Sequence, residues 1–211
     1  MSFDTAMTRR GALRLSLGVL AAAPLMTAAG ARAEQSAPEF VLGEQVMGDP
    51  DAPVTVIEYA SLTCPHCRRF HETVFPRLKR EYIDTGKVRL IYREVYFDRL
   101  GLWGGMLARC GGKDRYFGFI DALLRGQENW TRADDVMAEF KKIGRLGGLT
   151  DEQVEACLRD EDKARALVEM YQGYRDDPRL TGTPTLIVGE EKVEQPSFER
   201  LSAAIDKALA G

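Results

Sequence analysis

Apolar positions along the chain follow two rhythms, one of strands and one of helices. Val54-Thr55-Val56-Ile57-Glu58-Tyr59-Ala60 is β-branched and largely apolar, the mark of a buried strand. Beyond Cys64-Pro65-His66-Cys67, the residues Cys67, Phe70, Val74 and Leu78 recur at three- and four-residue steps. That spacing predicts a helix, which Pro76 should kink. A turn at Gly86-Lys87 leads into a second strand, Val88 to Val95. Strand, helix and strand in this order make a βαβ unit. From Asp98 to Asp177 the pattern is helical throughout, with Gly-rich joints at Gly104-Gly105, Gly111-Gly112 and Gly147-Gly148. Thr150-Asp151-Glu152-Gln153 reads as a capping box that opens one of these helices. Strands return at Thr185 to Val188 and Lys192 to Glu194, and Ser197 opens a last helix with Phe198, Leu201, Ile205 and Leu209 along one side. The expected class is α/β, a sheet interrupted by about 80 helical residues.

The chain has 211 residues, 45% hydrophobic and 29% charged, with a net charge of −3. This excludes collagen-like, coiled-coil and disordered classes, and nothing suggests a basic nucleic-acid binder. Residues 1–33 read as an export signal rather than structure. Arg9, Arg10 and Arg14 precede fifteen mostly small or apolar residues, Leu15 to Ala29, and Ala31-Arg32-Ala33 offers a cleavage site before Glu34. The stretch is too short to span a bilayer as a helix. Thr8-Arg9-Arg10-Gly11 resembles a twin-arginine signal, although Ala12 stands where that pattern usually has an aromatic. General secretion is the other route. Either one implies the periplasm, a space where disulfides persist.

That compartment gives weight to Cys64-Pro65-His66-Cys67. Positions i and i+3 at a helix mouth lie within disulfide reach. Cys64, at the amino end, is expected to be exposed, and Cys67, on the apolar stripe, shielded. Free amides at the helix start favour a thiolate at Cys64, and the His66 ring can add a donor or a positive charge. A cysteine brought to ~4 holds its thiolate about 3 units more firmly at pH 7, roughly 4 kcal/mol. For a two-electron couple this is on the order of 90 mV towards oxidant. Two other readings compete. A structural disulfide would need neither the helix mouth nor His66. A zinc or copper site on Cys64, His66 and Cys67 lacks a fourth ligand, since His71 lies further along the helix and Cys110 and Cys157 are remote; no metal and no cofactor are expected.

Cys64-Pro65-His66-Cys67 and the approach Gly48-Asp49-Pro50-Asp51-Ala52-Pro53-Val54 resemble the DsbA family of periplasmic thiol oxidases, in which a strongly acidic cysteine is a known property. The resemblance implies a thioredoxin-like fold at 34–95 and 178–211, with an inserted all-helical domain at 96–177. Thr181-Gly182-Thr183-Pro184-Thr185 resembles the family's cis-proline loop, which implies Pro184 opposite the dithiol and a Thr183 backbone that pairs with substrate. Glu58, six residues before Cys64, stands where such proteins often bury an acid. It is a proton-relay residue for Cys67 or a partner of a base such as Lys79. Glu194-Gln195-Pro196-Ser197 departs from the Gly-containing loop of many relatives, which bears on the substrate surface.

Cys110 and Cys157 both fall on apolar helical faces. In an exported protein they form a structural bridge or remain two separate buried thiols, and some relatives carry a second disulfide there. The expected activity is disulfide introduction into reduced exported proteins by a monomer, with reoxidation by a DsbB-type membrane quinone reductase. Reduction or isomerisation by the same dithiol is the first rival. Thr183 keeps it open, whereas the roughly 20 residues ahead of the first strong strand leave no room for the added dimerisation domain of such isomerases. A non-catalytic metal-binding or chaperone-like module is the second.

Overall fold

Five strands form one mixed sheet in a computed structural model that describes residues 38–211. The expected export leader lies outside the described residues. The strands are β1 (Gln45–Met47), β2 (Val54–Ala60), β3 (Val88–Glu94), β4 (Thr185–Val188) and β5 (Glu191–Val193), in the order β1-β3-β2-β4-β5. β2 and β3 pair in parallel, from Val54 opposite Val88 to Ala60 opposite Glu94. β4 runs antiparallel to β2, with Tyr59 opposite Thr185, and β5 antiparallel to β4. The short edge strand β1 runs antiparallel to β3. Its alternation is too brief to register as a strand pattern, and the nearby apolar piece Phe40-Val41-Leu42 stays outside the sheet.

The helix after the Cys motif breaks where proline removes a donor. α1 (Pro65–Thr73) ends against Val74, α2 (Phe75–Leu78) carries Pro76 in its first turn, and a π-turn over Lys79–Ile83 follows. Between β3 and β4 come six helices: α3 (Arg99–Cys110), α4 (Tyr116–Arg125), α5 (Gln127–Thr131), α6 (Val136–Leu146), α7 (Asp151–Arg159) and α8 (Glu161–Gln172). The capping box is present at α7, with Thr150 and Gln153 satisfying each other's amides. Ser197 caps the closing helix α9 (Phe198–Ala210) by accepting from the Arg200 amide.

Strand alternation decides what reaches the dithiol. Val54 and Val56 pack with Phe70, Leu78, Leu201 and Ile205. Glu58 and Ala60 continue that face of β2, so an acid is carried to the end of the strand nearest α1. On the other face Tyr59 and Ile57 pack with Ile187, Tyr171 and Tyr174. A larger core fills the insertion, where Met106, Leu107, Trp130, Phe140 and Leu167 gather, and it extends without a break to Leu62, Cys64 and Cys67. The Cys motif therefore lies where the helical core meets the sheet.

Candidate active site

Pro65 has no amide hydrogen, so the free amides nearest Cys64 at the start of α1 belong to His66 and Cys67. Cys64 is the residue that caps this helix, in extended conformation. Both thiols are free. The Cys64 thiol is lowered to about 5, first by a hydrogen bond from the Cys67 side chain, then by the Thr183 side chain and the amides of Cys67 and His66, against an upward push from burial. Cys67 is held far above the ordinary thiol range, first by burial and then by the adjacent Cys64 sulfur. One thiolate is thus stabilised by a partner that keeps its own proton.

Two expectations about this turn need correcting. Cys64 is only 9% exposed. As a thiol its Sγ donates to the Thr183 carbonyl at 3.3 Å, so the loop across the sheet shelters it. The His66 ring is exposed, and His66 acts on Cys64 through its backbone amide instead. The Thr183–Pro184 peptide is cis and sets the Thr183 carbonyl opposite the dithiol. Pro65 is exposed at the helix mouth. Arg68 is occupied by Glu72 at 3.0 Å and Glu128 at 2.8 Å.

Glu58 is fully buried, and its partner is not Lys79, which binds Asp84. Glu58 Oε1 meets His71 Nε2 at 2.9 Å, and His71 stands one helical turn beyond Cys67 on α1. His71 stacks on Phe75 with centroids 4.5 Å apart, and Tyr92 meets its edge. Tyr92 also lies opposite Glu58 in the sheet register. Glu58 Oε2 and the Tyr92 hydroxyl are buried with no hydrogen-bond partner among the described residues. The charge of Glu58 is felt at Cys67, where it adds to the upward push on that thiol. Among the described residues no three His, Cys, Asp or Glu side chains converge as a metal centre requires.

A dithiol of unequal acidity, a cis-proline loop facing it and a buried acid beneath it define the chemistry to compare. The family model described as Thioredoxin matches residues 41–207. A solved structure of Wolbachia pipientis alpha-DsbA1 superposes with a TM-score of 0.71 at 29% identity, covering 81% of this chain and 92% of that one. The chain is a DsbA-type member of the thioredoxin family. A probable disulfide bond formation protein D of Bacillus cereus is 32% identical over 174 residues, 79% of each chain. A putative protein-disulfide oxidoreductase of Rickettsia bellii is 36% identical over 167 residues, 79% of this chain and 64% of its own length. This chain thus spans somewhat less than two thirds of that Rickettsia relative.

In this DsbA-type chain the remaining cysteines are bonded. Cys110 ends α3, Cys157 lies in α7, and their Cα atoms are 6.3 Å apart. Closing a loop with a sequence separation of 47 is worth about 4 kcal/mol in the chain-entropy picture. A Cys110→Ser/Cys157→Ser double variant should therefore lose up to ~4 kcal/mol in urea unfolding while both Cys64 and Cys67 remain titratable. A stability equal to that of the parent would show that the bridge fastens nothing.

Sequence patterns missed a second fastening beside it. Arg109, fully buried on α3, makes a two-pronged pair with buried Glu94 of β3 at 2.8 and 2.7 Å. Its remaining nitrogen reaches the carbonyls of Val41 and Gly43 at 2.8 and 3.1 Å. The available signal was the lone charge of Arg109 in the otherwise apolar stretch from Leu100 to Cys110.

Proposed function

We propose that this protein is an exported thiol:disulfide oxidase that introduces disulfide bonds into reduced proteins of the periplasm. The observation that carries this reading is the asymmetric dithiol, with Cys64 lowered to about 5 and Cys67 held protonated. At pH 7 a thiol of that acidity holds its thiolate by about 3 kcal/mol, roughly 60 mV towards oxidant for a two-electron couple. The relatives named as disulfide-forming proteins and the leader expected at 1–33 support it.

In the cycle, a substrate thiolate attacks Cys64 Sγ of the Cys64–Cys67 disulfide. Cys67 leaves as a thiolate and takes up a proton through buried Glu58, whose charge is felt at Cys67. A second substrate thiolate then attacks the substrate sulfur of the mixed disulfide and expels Cys64, whose stabilised anion makes it a fast leaving group. Two electrons pass from the substrate to the dithiol, and the substrate leaves with a new S–S bond. The Thr183 carbonyl is placed to accept from an extended substrate backbone during the exchange. A DsbB-type quinone-linked membrane partner removes the two electrons and restores the disulfide.

The reading is tested by equilibration with glutathione. An oxidase should remain largely reduced in buffers that leave an ordinary structural disulfide oxidised. Activity should appear on reduced ribonuclease; rescue of scrambled ribonuclease alone would make the protein an isomerase. The acidity has its own signature. Iodoacetamide labelling of Cys64 should stay near its plateau at pH 6 and fall by half near pH 5. Because the folded value lies below the unfolded one, ~8.5, the thiolate stabilises the reduced fold fully above pH 8.5 and loses this contribution as pH falls towards 5. The oxidised form, without that thiolate, should show no such loss across the same window.

A further inference from the structure

Gln127 is almost wholly buried at the first position of α5, and nothing in its sequence surroundings marks it as more than a polar residue at a helix start. Its side-chain nitrogen donates to two backbone carbonyls at once, Leu62 at 2.7 Å and Cys64 at 3.0 Å. Those carbonyls bracket the turn into the Cys motif. The acceptors are 65 and 63 residues away in sequence, so the contact crosses from the helical insertion to the end of the sheet.

The turn has local holds too: the Cys64 amide donates to the Ser61 carbonyl at 3.1 Å, and the Ser61 hydroxyl lies 3.2 Å from Thr63 Oγ1. Thr63 Oγ1 donates to Asp98 at 2.9 Å, and Asp98 caps α3 by accepting from the Gly101 amide. Leu62 packs closely on α3, where a Cβ at Gly104 would come within 2.8 Å of Leu62 Cδ1 and push that side chain aside. The Cys64 carbonyl also accepts the Arg68 amide at 3.2 Å, which leaves Gln127 as the side-chain donor to that oxygen. We propose that Gln127 is a positioning residue of the redox centre: by holding the Leu62 and Cys64 carbonyls together it sets the poise of the Cys64–Cys67 dithiol. The inference rests on the oxidoreductase reading above.

The physical argument is differential. Both hydrogens of the amide group face carbonyl oxygens, so the positive end of its dipole lies within one residue's backbone of Cys64 Sγ. A fixed dipole of this sign favours an anion at Cys64 over a neutral disulfide. It also fixes the peptide that leads into α1, on which the aim of the His66 and Cys67 amides depends. A merely structural glutamine would stabilise reduced and oxidised forms alike.

Two variants test this, Gln127→Met, which keeps the length and removes both donors, and Gln127→Glu, which keeps the shape and places an acceptor at the same carbonyls. In each, the thiolate absorbance of Cys64 is titrated, the glutathione equilibrium constant is measured, and unfolding of both redox forms is followed. The expected result is a rise of about one pH unit in the ionisation of Cys64, larger for Glu than for Met. The reduced form should weaken about tenfold against the oxidised form, about 30 mV on the couple. If unfolding shifts equally in both redox states while ionisation and equilibrium constant match the parent, Gln127 is a structural strut and the proposal falls. Should Gln127→Met fail to fold, Gln127→Glu carries the same readouts. A parent protein without oxidising power would overturn the functional reading instead, and the variants' shift relative to it would still decide the role of Gln127.

Discussion

Replacing Arg109 with methionine should cost the fold roughly 3–5 kcal/mol, a large part of the 5–15 kcal/mol that holds a typical domain together. The loss comes less from the missing attraction than from what remains. Glu94, 1% exposed, would keep a carboxylate with both oxygens stripped of donors, while the Val41 and Gly43 carbonyls lose theirs. Glu94 must then take up a proton or draw in water. The stability deficit of the variant against the parent should therefore shrink towards acid pH, where a neutral Glu94 is tolerated. A double variant, Arg109→Met with Glu94→Gln, should regain part of the loss, because an amide left without partners costs less than a charge. Urea unfolding of the four proteins in this cycle checks the point, and additive single effects would dismiss the coupling.

The two cysteines of the motif should fail in different ways. Cys64→Ala removes the sulfur that substrates attack, so oxidation of reduced ribonuclease should fall to the uncatalysed background. Cys67→Ala leaves a Cys64 thiolate that attacks a disulfide, bonds to one sulfur and expels the other as a thiolate, with no neighbouring thiol to release it, so covalent adducts should accumulate with disulfide-bearing proteins. The same variant removes the largest contribution to Cys64's acidity, the hydrogen bond from Cys67. Hydrogen bonds to charged groups contribute about 1.5–3 kcal/mol, so the half-point of Cys64 ionisation should climb from about 5 by about 1–2 pH units. Absorbance of the thiolate during an acid titration reads this directly. An unmoved half-point would assign the acidity to the helix amides and Thr183 alone.

What could be read in advance follows a physical division. β2, β3 and β4 carry long enough apolar runs to declare themselves, and the spacing of Cys64 and Cys67 at a strand–helix junction carries its chemistry in four residues. The strand β1, three residues on a sheet edge, has too little length for any period to emerge. Glu58 is legible as an acid in an apolar strand, but its partner is not. Lys79 offers the obvious charge, and the structure chooses His71, because the helix turn after Cys67 points that ring back at β2 while Lys79 lies past the Pro76 break. Arg109 with Glu94 and Gln127 with Leu62 and Cys64 are pairings across 15, 65 and 63 residues. Local rhythm holds no trace of them, since each side chain satisfies a demand created only when distant elements meet. The shelter over Cys64 is of the same kind, supplied by a loop 119 residues downstream.

The bond between Cys110 and Cys157 turns the proposed activity back on its owner. Under the proposed function, a newly exported copy would arrive with that pair still reduced and α3 and α7 unfastened. Mature siblings would then seal it, the protein would be among its own first substrates, and the supply of finished molecules should grow faster once a few exist.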